Sequence, residues 1–222
     1  MIAPKVQSAI DAALKAFKQH GGFDATTLSG EFATVFSSDK DFLGKVELLD
    51  GVFDDNAQLE PLREVFFDLL LINFFSADVK KLEEDYLDSP EWAKIEDETL
   101  DRGTELLNVL LYLNECADED IEPGLEDYLK EFLLVDEDEF QDEHRIYEPI
   151  IANQILVEAP FDEIKKVAEK LPADSELKEL FYPVLAFFQD IEPSDSVREA
   201  VAKSAVDAEF DVPVYEILIN FK

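Results

Sequence analysis

Apolar residues recur at intervals of three and four along most of the chain, and this spacing places them on one face of an α-helix. Val6, Ile10 and Phe17 belong to the first such stripe, and the Gly21-Gly22 pair behind it is a helix stop. The same spacing predicts helices near 32–36, 42–53, 61–75 and 125–134, and one over 90–116 with a break at Gly103. Further helices are predicted over 143–222, the first beginning near His144, with breaks near Pro160, Pro172, Pro193 and Pro213.

The segment from residue 61 to 75 is apolar on nearly every side. Phe66 and Leu70 fall on one face of such a helix, and Phe67 falls on another. A helix with so little polar surface is stable only when it is surrounded by protein, so we predict that it is a central, buried helix. Pro61 suits its first turn, where the missing N–H removes no helical hydrogen bond.

Strand signals are scarce. Only VPVYEILINF, at residues 212–221, is rich in the β-branched and aromatic residues that favour strands. We expect a terminal helix begun by Pro213 at this position, with a short strand as the alternative. The pattern as a whole therefore predicts an all-α fold.

Two pairs of segments resemble each other in the same order along the chain. SADVKKLEEDYL at 76–87 matches PFDEIKKVAEKL at 160–171, with a shared core of two lysines between apolar residues. NVLLYLNE at 108–115 likewise matches PVLAFFQD at 183–190. These matches indicate an internal duplication, although helices rich in Leu and Glu also match one another by chance.

Each member of the second pair is followed within a few residues by Ile-Glu-Pro, at 121–123 and at 191–193. Helical units of this size build either a multi-helix bundle or a short α-solenoid with HEAT-like repeats. We predict a single all-α domain over 1–222, with repeat units at 61–140 and 143–222 and an N-terminal helical cap at 1–60.

The net charge of the chain limits the kinds of partner that the protein is expected to bind. There are 53 acidic and 19 basic residues, which gives a formal net charge of −34. Nucleic acids and anionic membranes are bound through basic patches, so neither is an expected partner. A basic protein or a cation fits this charge better. Adaptation to a salt-rich cytoplasm, or solubility alone, is the alternative explanation of the acidity.

Several sequence features favour a cytoplasmic protein. The single cysteine, Cys116, excludes an internal disulfide. The N-terminal segment lacks the apolar core of a signal peptide. The most apolar run, VFFDLLLINFF at 65–75, contains Asp68 and is too short to span a bilayer.

No motif predicts a metal, a cofactor or a catalytic residue. Asp118, Asp120 and Glu122 have the spacing of an EF-hand loop, but Pro123 stands where that loop needs glycine and Leu129 where it needs glutamate. The chain has 2 histidines, too few for the usual zinc or di-iron sites. The cysteine has no evident histidine partner and is expected to be a buried thiol.

Two dense acidic clusters flank the helix predicted at 125–134. Packed like charges repel one another, so such clusters lower stability unless a partner or salt screens them. Asp142 and Glu143 suit the start of the following helix, whose macrodipole favours negative charge. The remaining members have no such structural role and are predicted to bind a partner: Asp118, Glu119, Asp120 and Glu122 in the first cluster, and Asp136, Glu137, Asp138 and Glu139 in the second.

These observations predict a noncatalytic interaction protein that binds a basic partner protein. Immunity proteins, nucleic-acid mimics and chaperones all fit this description, and the sequence does not choose among them. A carboxylate-based cation-binding protein or enzyme is one alternative. A structural protein whose charge serves only solubility is the other.

Overall fold

The computed structural model describes residues 1–76, 81, 84–132 and 140–222. Within these residues the chain forms thirteen α-helices and no strand, so the all-α prediction is confirmed. Short 3₁₀ helices at Ala25–Leu28, Ala57–Leu62 and Gln154–Glu158 connect some of them. The α-helices are α1 (Pro4–His20), α2 (Ser29–Ser37), α3 (Phe42–Asp55), α4 (Arg63–Ser76), α5 (Glu84–Leu87), α6 (Pro90–Glu98), α7 (Leu106–Glu119), α8 (Leu125–Phe132), α9 (Phe140–Ala152), α10 (Phe161–Ala168), α11 (Lys178–Gln189), α12 (Asp195–Ser204) and α13 (Ala208–Phe221).

The bundle is closed by its first and last helices, since α1 packs along α13. The predicted stripe of α1 is confirmed, because Val6, Ile10 and Phe17 are fully buried. The backbone N–H of Ala3 also donates to Asn73 Oδ1 of α4 at 2.8 Å. In a solenoid each repeat contacts only its neighbours, so the multi-helix bundle is the better description of this fold. The duplication stays a prediction.

The central position of α4 is confirmed. Ten of its 14 residues are buried. Phe66 packs against Phe32 of α2 and Phe53 of α3, with ring centroids 4.6 and 5.6 Å away. Pro61 lies in the preceding 3₁₀ turn, so the α-helix begins two residues later than the sequence suggests.

The last helix begins earlier than predicted, so both the Pro213 start and the strand alternative are wrong. Asp207 caps it, because its side chain accepts from the backbone N–H of Glu209 at 3.1 Å. Pro213 lies inside the helix, and the boundary between α12 and α13 lies before Ala208 instead. A good N-cap defined this boundary better than proline did. Similarly, α9 begins at Phe140 rather than near His144.

The break predicted at Gly103 is confirmed, and it separates α6 from α7 by the whole stretch 99–105. Polar contacts tie this stretch to α3 and α4. The Arg102 guanidinium lies 3.0 Å from both Glu64 and Asp50. Asp50 also pairs with Arg63 at 3.1 Å, so two arginines share one carboxylate.

The next two residues of the connection also donate hydrogen bonds to side chains of α4. The N–H of Gly103 donates to Glu64 at 2.7 Å. Thr104 donates to Asp68 twice, from its N–H at 3.0 Å and from its hydroxyl at 2.5 Å. Asp68 is therefore the buried anchor of the connection, which explains why an aspartate interrupts the most apolar segment of the chain.

Candidate acidic groove

The first predicted cluster lies at the carboxyl end of α7. Asp118, Glu119, Asp120 and Glu122 are all exposed. Asp120 adopts a left-handed conformation with φ 57°, and the N–H of Ile121 donates to the Cys116 carbonyl at 2.9 Å. This is the geometry of a Schellman helix end, in which the left-handed residue turns the chain out of the helix.

The second predicted cluster, Asp136 to Glu139, lies outside the described residues. Its two neighbours Asp142 and Glu143 fall within the first turn of α9, the position expected from their charge. The described part of the predicted site is therefore the end of α7 and the loop that follows it.

That loop lines a groove of about 710 Å³, called here the acidic groove. The loop after α11 lines it as well, and the two loops are called here its rims. Ile121 and Glu122 of the first Ile-Glu-Pro segment line the groove together with Ile191 and Glu192 of the second. Leu113, Cys116 and Phe188 form an apolar floor.

The first rim is held in place from below by a buried tyrosine. The hydroxyl of Tyr112 accepts from the backbone N–H of Gly124 at 2.9 Å and lies 3.1 Å from the carbonyl of the same residue. Burial raises the pKa of Tyr112, so the phenol stays protonated and can make both bonds.

The floor and the second rim are held in a similar way. The ring of Phe188 stacks on that of Tyr128 with centroids 5.6 Å apart. Asp190 Oδ1 accepts from the backbone N–H of Glu192 at 3.1 Å, which fixes the start of the second loop. Both rims are thus ordered before any ligand arrives, which reduces the entropy lost on binding.

Negative charge dominates the groove. It is lined by four carboxylates, those of Asp120, Glu122, Asp190 and Glu192, and by one ammonium group, that of Lys222. Lys222 Nζ lies 3.5 Å from a carboxylate oxygen of Glu192, and Glu192 is largely exposed. Solvent screens an exposed pair of this kind, so the groove keeps an excess of acid and a weakly held cation.

Gln189 forms part of the groove wall. Its Nε2 donates to the Ala159 carbonyl at 2.6 Å, which fixes the orientation of the amide. Its Oε1 is buried and receives no hydrogen bond from the described part of the chain, so the amide shapes the wall without offering an exposed acceptor.

The structure brings together only part of the predicted site and adds residues that sequence reasoning missed. Asp120 and Glu122 line the groove, whereas Asp118 and Glu119 stand on the exposed last turn of α7 beside it. The missed residues are Asp190, Glu192 and Lys222. The repeated Ile-Glu-Pro was the signal that could have found the first two, because the same tripeptide follows both of the similar segments 108–115 and 183–190.

The acids at the end of α7 oppose the helix macrodipole, whose negative pole lies at that end. Changing Asp118 to Asn and Glu119 to Gln should therefore raise the free energy of unfolding, by about 0.3–1 kcal/mol per charge at low salt. Urea unfolding measures this gain, which should shrink in about 1 M salt as the Debye length falls to about 3 Å.

A matched control lies in the next helix. Glu126 and Asp127 occupy the first turn of α8, where negative charge is favourable, and Lys130 lies 2.9 Å from Glu126. The Glu126→Gln, Asp127→Asn variant changes net charge by the same amount, and we expect it to be destabilised. Equal effects of the two variants would mean that overall charge matters rather than position on a helix.

Within the described ranges, no group of three or more His, Cys, Asp or Glu side chains is arranged to hold a metal ion. No helix in that part of the chain has both the length and the apolar character needed to cross a membrane. In comparisons with known proteins, no family model, no curated protein and no solved structure matches this chain.

Proposed function

We propose that the protein is a noncatalytic interaction module that binds a basic partner protein in the acidic groove. The observation that carries the proposal is the meeting of two acidic rims, from loops about 70 residues apart in sequence, over one apolar floor. Lys and Arg side chains have a cationic end on an apolar stem. Such a side chain can place its stem on Phe188 and its charge beside Glu122 and Glu192.

The hydrogen-bond acceptors that line the groove support the same class of ligand. Lys and Arg donate hydrogen bonds and accept none. The carboxylates of Asp120, Glu122, Asp190 and Glu192 accept only, so they complement a basic side chain. Lys222 pairs with Glu192, whose carboxylate is largely exposed and can also receive an incoming cation.

The remaining acidity supports fast association. A net charge of −34 creates a long-range field that steers a cationic protein towards the surface. Clustered surface charge of this kind mainly raises the association rate. The partner we propose presents a helix or loop rich in Lys or Arg, as nuclease toxins, nucleic-acid-binding proteins and the basic clients of chaperones do.

A labelled basic peptide tests the proposal directly. We expect a fluorescein-labelled amphipathic peptide of Lys and Leu to bind the wild-type protein, as measured by fluorescence anisotropy. Changing Asp120, Glu122, Asp190 and Glu192 to Asn or Gln should weaken binding about tenfold, because the groove loses its clustered charge. The affinity should also depend less steeply on salt between about 0.01 and 0.15 M, over which the Debye length falls from about 30 to about 8 Å.

The control variant removes four exposed acids elsewhere. Glu31, Asp39, Glu47 and Asp55 lie on α2, α3 and the loop between them, and none lines the groove. Their change to Gln or Asn gives the same net charge, and we expect it to weaken binding much less. If both variants lose affinity equally, the peptide senses only total charge and the proposed site is wrong. Proteins recovered from lysate at low salt can then be compared on the same two variants.

A further inference from the structure

A second concave site lies away from the acidic groove, between α10, α11 and the start of α13. It is a cavity of about 370 Å³, within the range of sites that hold small ligands. Pro61, Tyr182 and Phe210 give it apolar walls, and it shares no residue with the acidic groove. Its one deeply buried charged residue is Asp211, which is 3% exposed.

One of the two carboxylate oxygens of Asp211 has a structural role. Its Oδ2 accepts from the backbone N–H groups of Val206 at 2.7 Å and Asp207 at 3.0 Å. These bonds fold the loop before α13 back onto the first turn of the helix. Lys165 supports the same loop from α10, because its Nζ donates to the Ala205 carbonyl at 2.7 Å.

The other carboxylate oxygen of Asp211, Oδ1, has no such role. Asp211 Oδ1 receives no hydrogen bond from the described residues, although Asp211 lines the cavity. An asparagine could accept both loop N–H groups equally well without placing a charge in the interior. A buried carboxylate with one free oxygen is therefore unexplained by the loop and is matched to a donor within the cavity.

The charges around the cavity favour a cationic donor. Glu169, Glu179 and Asp207 line it together with Asp211, against the ammonium group of Lys178 in the lining and that of Lys165, which acts on Asp211 from α10. A guanidinium prefers two free carboxylate oxygens, which it binds as a fork. Asp211 offers only Oδ1, since Oδ2 is occupied, and a single-point donor such as an ammonium group suits it better.

We propose that this cavity binds a small molecule with a primary ammonium group on an apolar body, the ammonium donating to Asp211 Oδ1 and the apolar body packing on Tyr182 and Phe210. The position of the Tyr182 ring is fixed within the protein, because the Tyr182 hydroxyl donates to the Val201 carbonyl at 2.7 Å. The site is separate from the acidic groove, so the proposal stands or falls independently of the proposed function.

Three probes of similar shape test this assignment on the wild-type protein: benzylamine, benzyl alcohol and benzoate. The readout is the backbone amide resonances of Val206 and Asp207, which bond to Asp211 and report on the cavity alone. At about pH 8, where Asp211 is ionised because its pKa is raised to about 7, we expect benzylamine to shift both resonances in a saturable way. The dissociation constant should lie in the millimolar range for a ligand of about eight non-hydrogen atoms. The constant for benzyl alcohol should be about tenfold higher, since charge-assisted bonds are the stronger ones.

Two variants of equal charge complete the test. Asp211→Asn should raise the dissociation constant of benzylamine about tenfold, because the charge that the ammonium contacts is lost. Glu199→Gln, on the exposed face of α12, should leave it unchanged. The proposal is overturned if the alcohol binds as well as the amine, if Asp211→Asn binds the amine as wild type does, or if benzoate binds more tightly than either. The comparison of the three probes on the wild-type protein tests the proposal even if Asp211→Asn disturbs the loop before α13.

Discussion

Gly103→Ala should be strongly destabilising, lowering the free energy of unfolding by about 2–5 kcal/mol. Gly103 has φ +85°, a conformation that costs an L-residue about 1–2 kcal/mol. A methyl group on its Cα would also lie 2.7 Å from Asp68 Oδ1 and 3.2 Å from the ring of Phe67. Crowding in a packed interior adds about 1–3 kcal/mol. The loss should appear in urea or thermal unfolding.

The control for this variant is Gly51→Ala. Gly51 lies on the exposed side of α3, where an added methyl group meets nothing within 4 Å. Alanine is the better helix former by about 0.5–1 kcal/mol, so this change should stabilise the protein. If Gly103→Ala were tolerated as well as Gly51→Ala, the docking of the 99–105 connection on Asp68 would be wrong.

Raising the pH from about 5 to about 8 should destabilise the protein, and Asp211→Asn should remove much of that loss. Burial raises the pKa of Asp211 to about 7, above its ordinary value of 3.8. A folded-state pKa that is raised gives stability below the unfolded value and loses it as the pH rises through about 7. At about 1.4 kcal/mol per pKa unit, the loss between pH 5 and 8 is about 1–3 kcal/mol.

The comparison needs unfolding curves of both proteins at both pH values. The stability of Asp211→Asn relative to wild type should be greater near pH 8 than near pH 5. Some pH dependence should remain in the variant, because burial also raises the pKa of Asp68. Glu199→Gln, on an exposed face, should follow the wild-type curve. A wild-type protein that is equally stable at both pH values would contradict the assigned burial of Asp211.

Much of the helical core was predictable from spacing alone. The stripe of α1 and the all-round apolar surface of α4 are local properties, and local spacing determines which face is buried. The C-terminal helix shows where such reasoning fails. Proline disrupts helix interiors, so the sequence predicts a helix start at Pro213. Asp207 already supplies a cap, however, and burial of one face of α13 outweighs the one missing N–H.

The candidate site was predictable only in part. Clusters of acidic residues are visible in the sequence, and they predict that Asp120 and Glu122 belong to the site. That Glu192 and Lys222 lie in the same groove depends on the packing of α7, α11 and α13, which no local pattern contains. Asp68 illustrates the same limit, since in the sequence it only interrupts an apolar run, whereas in the fold it anchors Thr104.

The pairing of α1 with α13 has a consequence for synthesis on the ribosome. The apolar face of α1 emerges well before its main partner, α13, which begins only at Ala208. At about 5–20 residues per second, roughly 10–40 seconds separate the two helices during translation. Throughout that interval α1 lacks the surface that covers it in the finished protein. The nascent chain must therefore rely on α2 to α4, or on a ribosome-associated chaperone, to keep that face from aggregating.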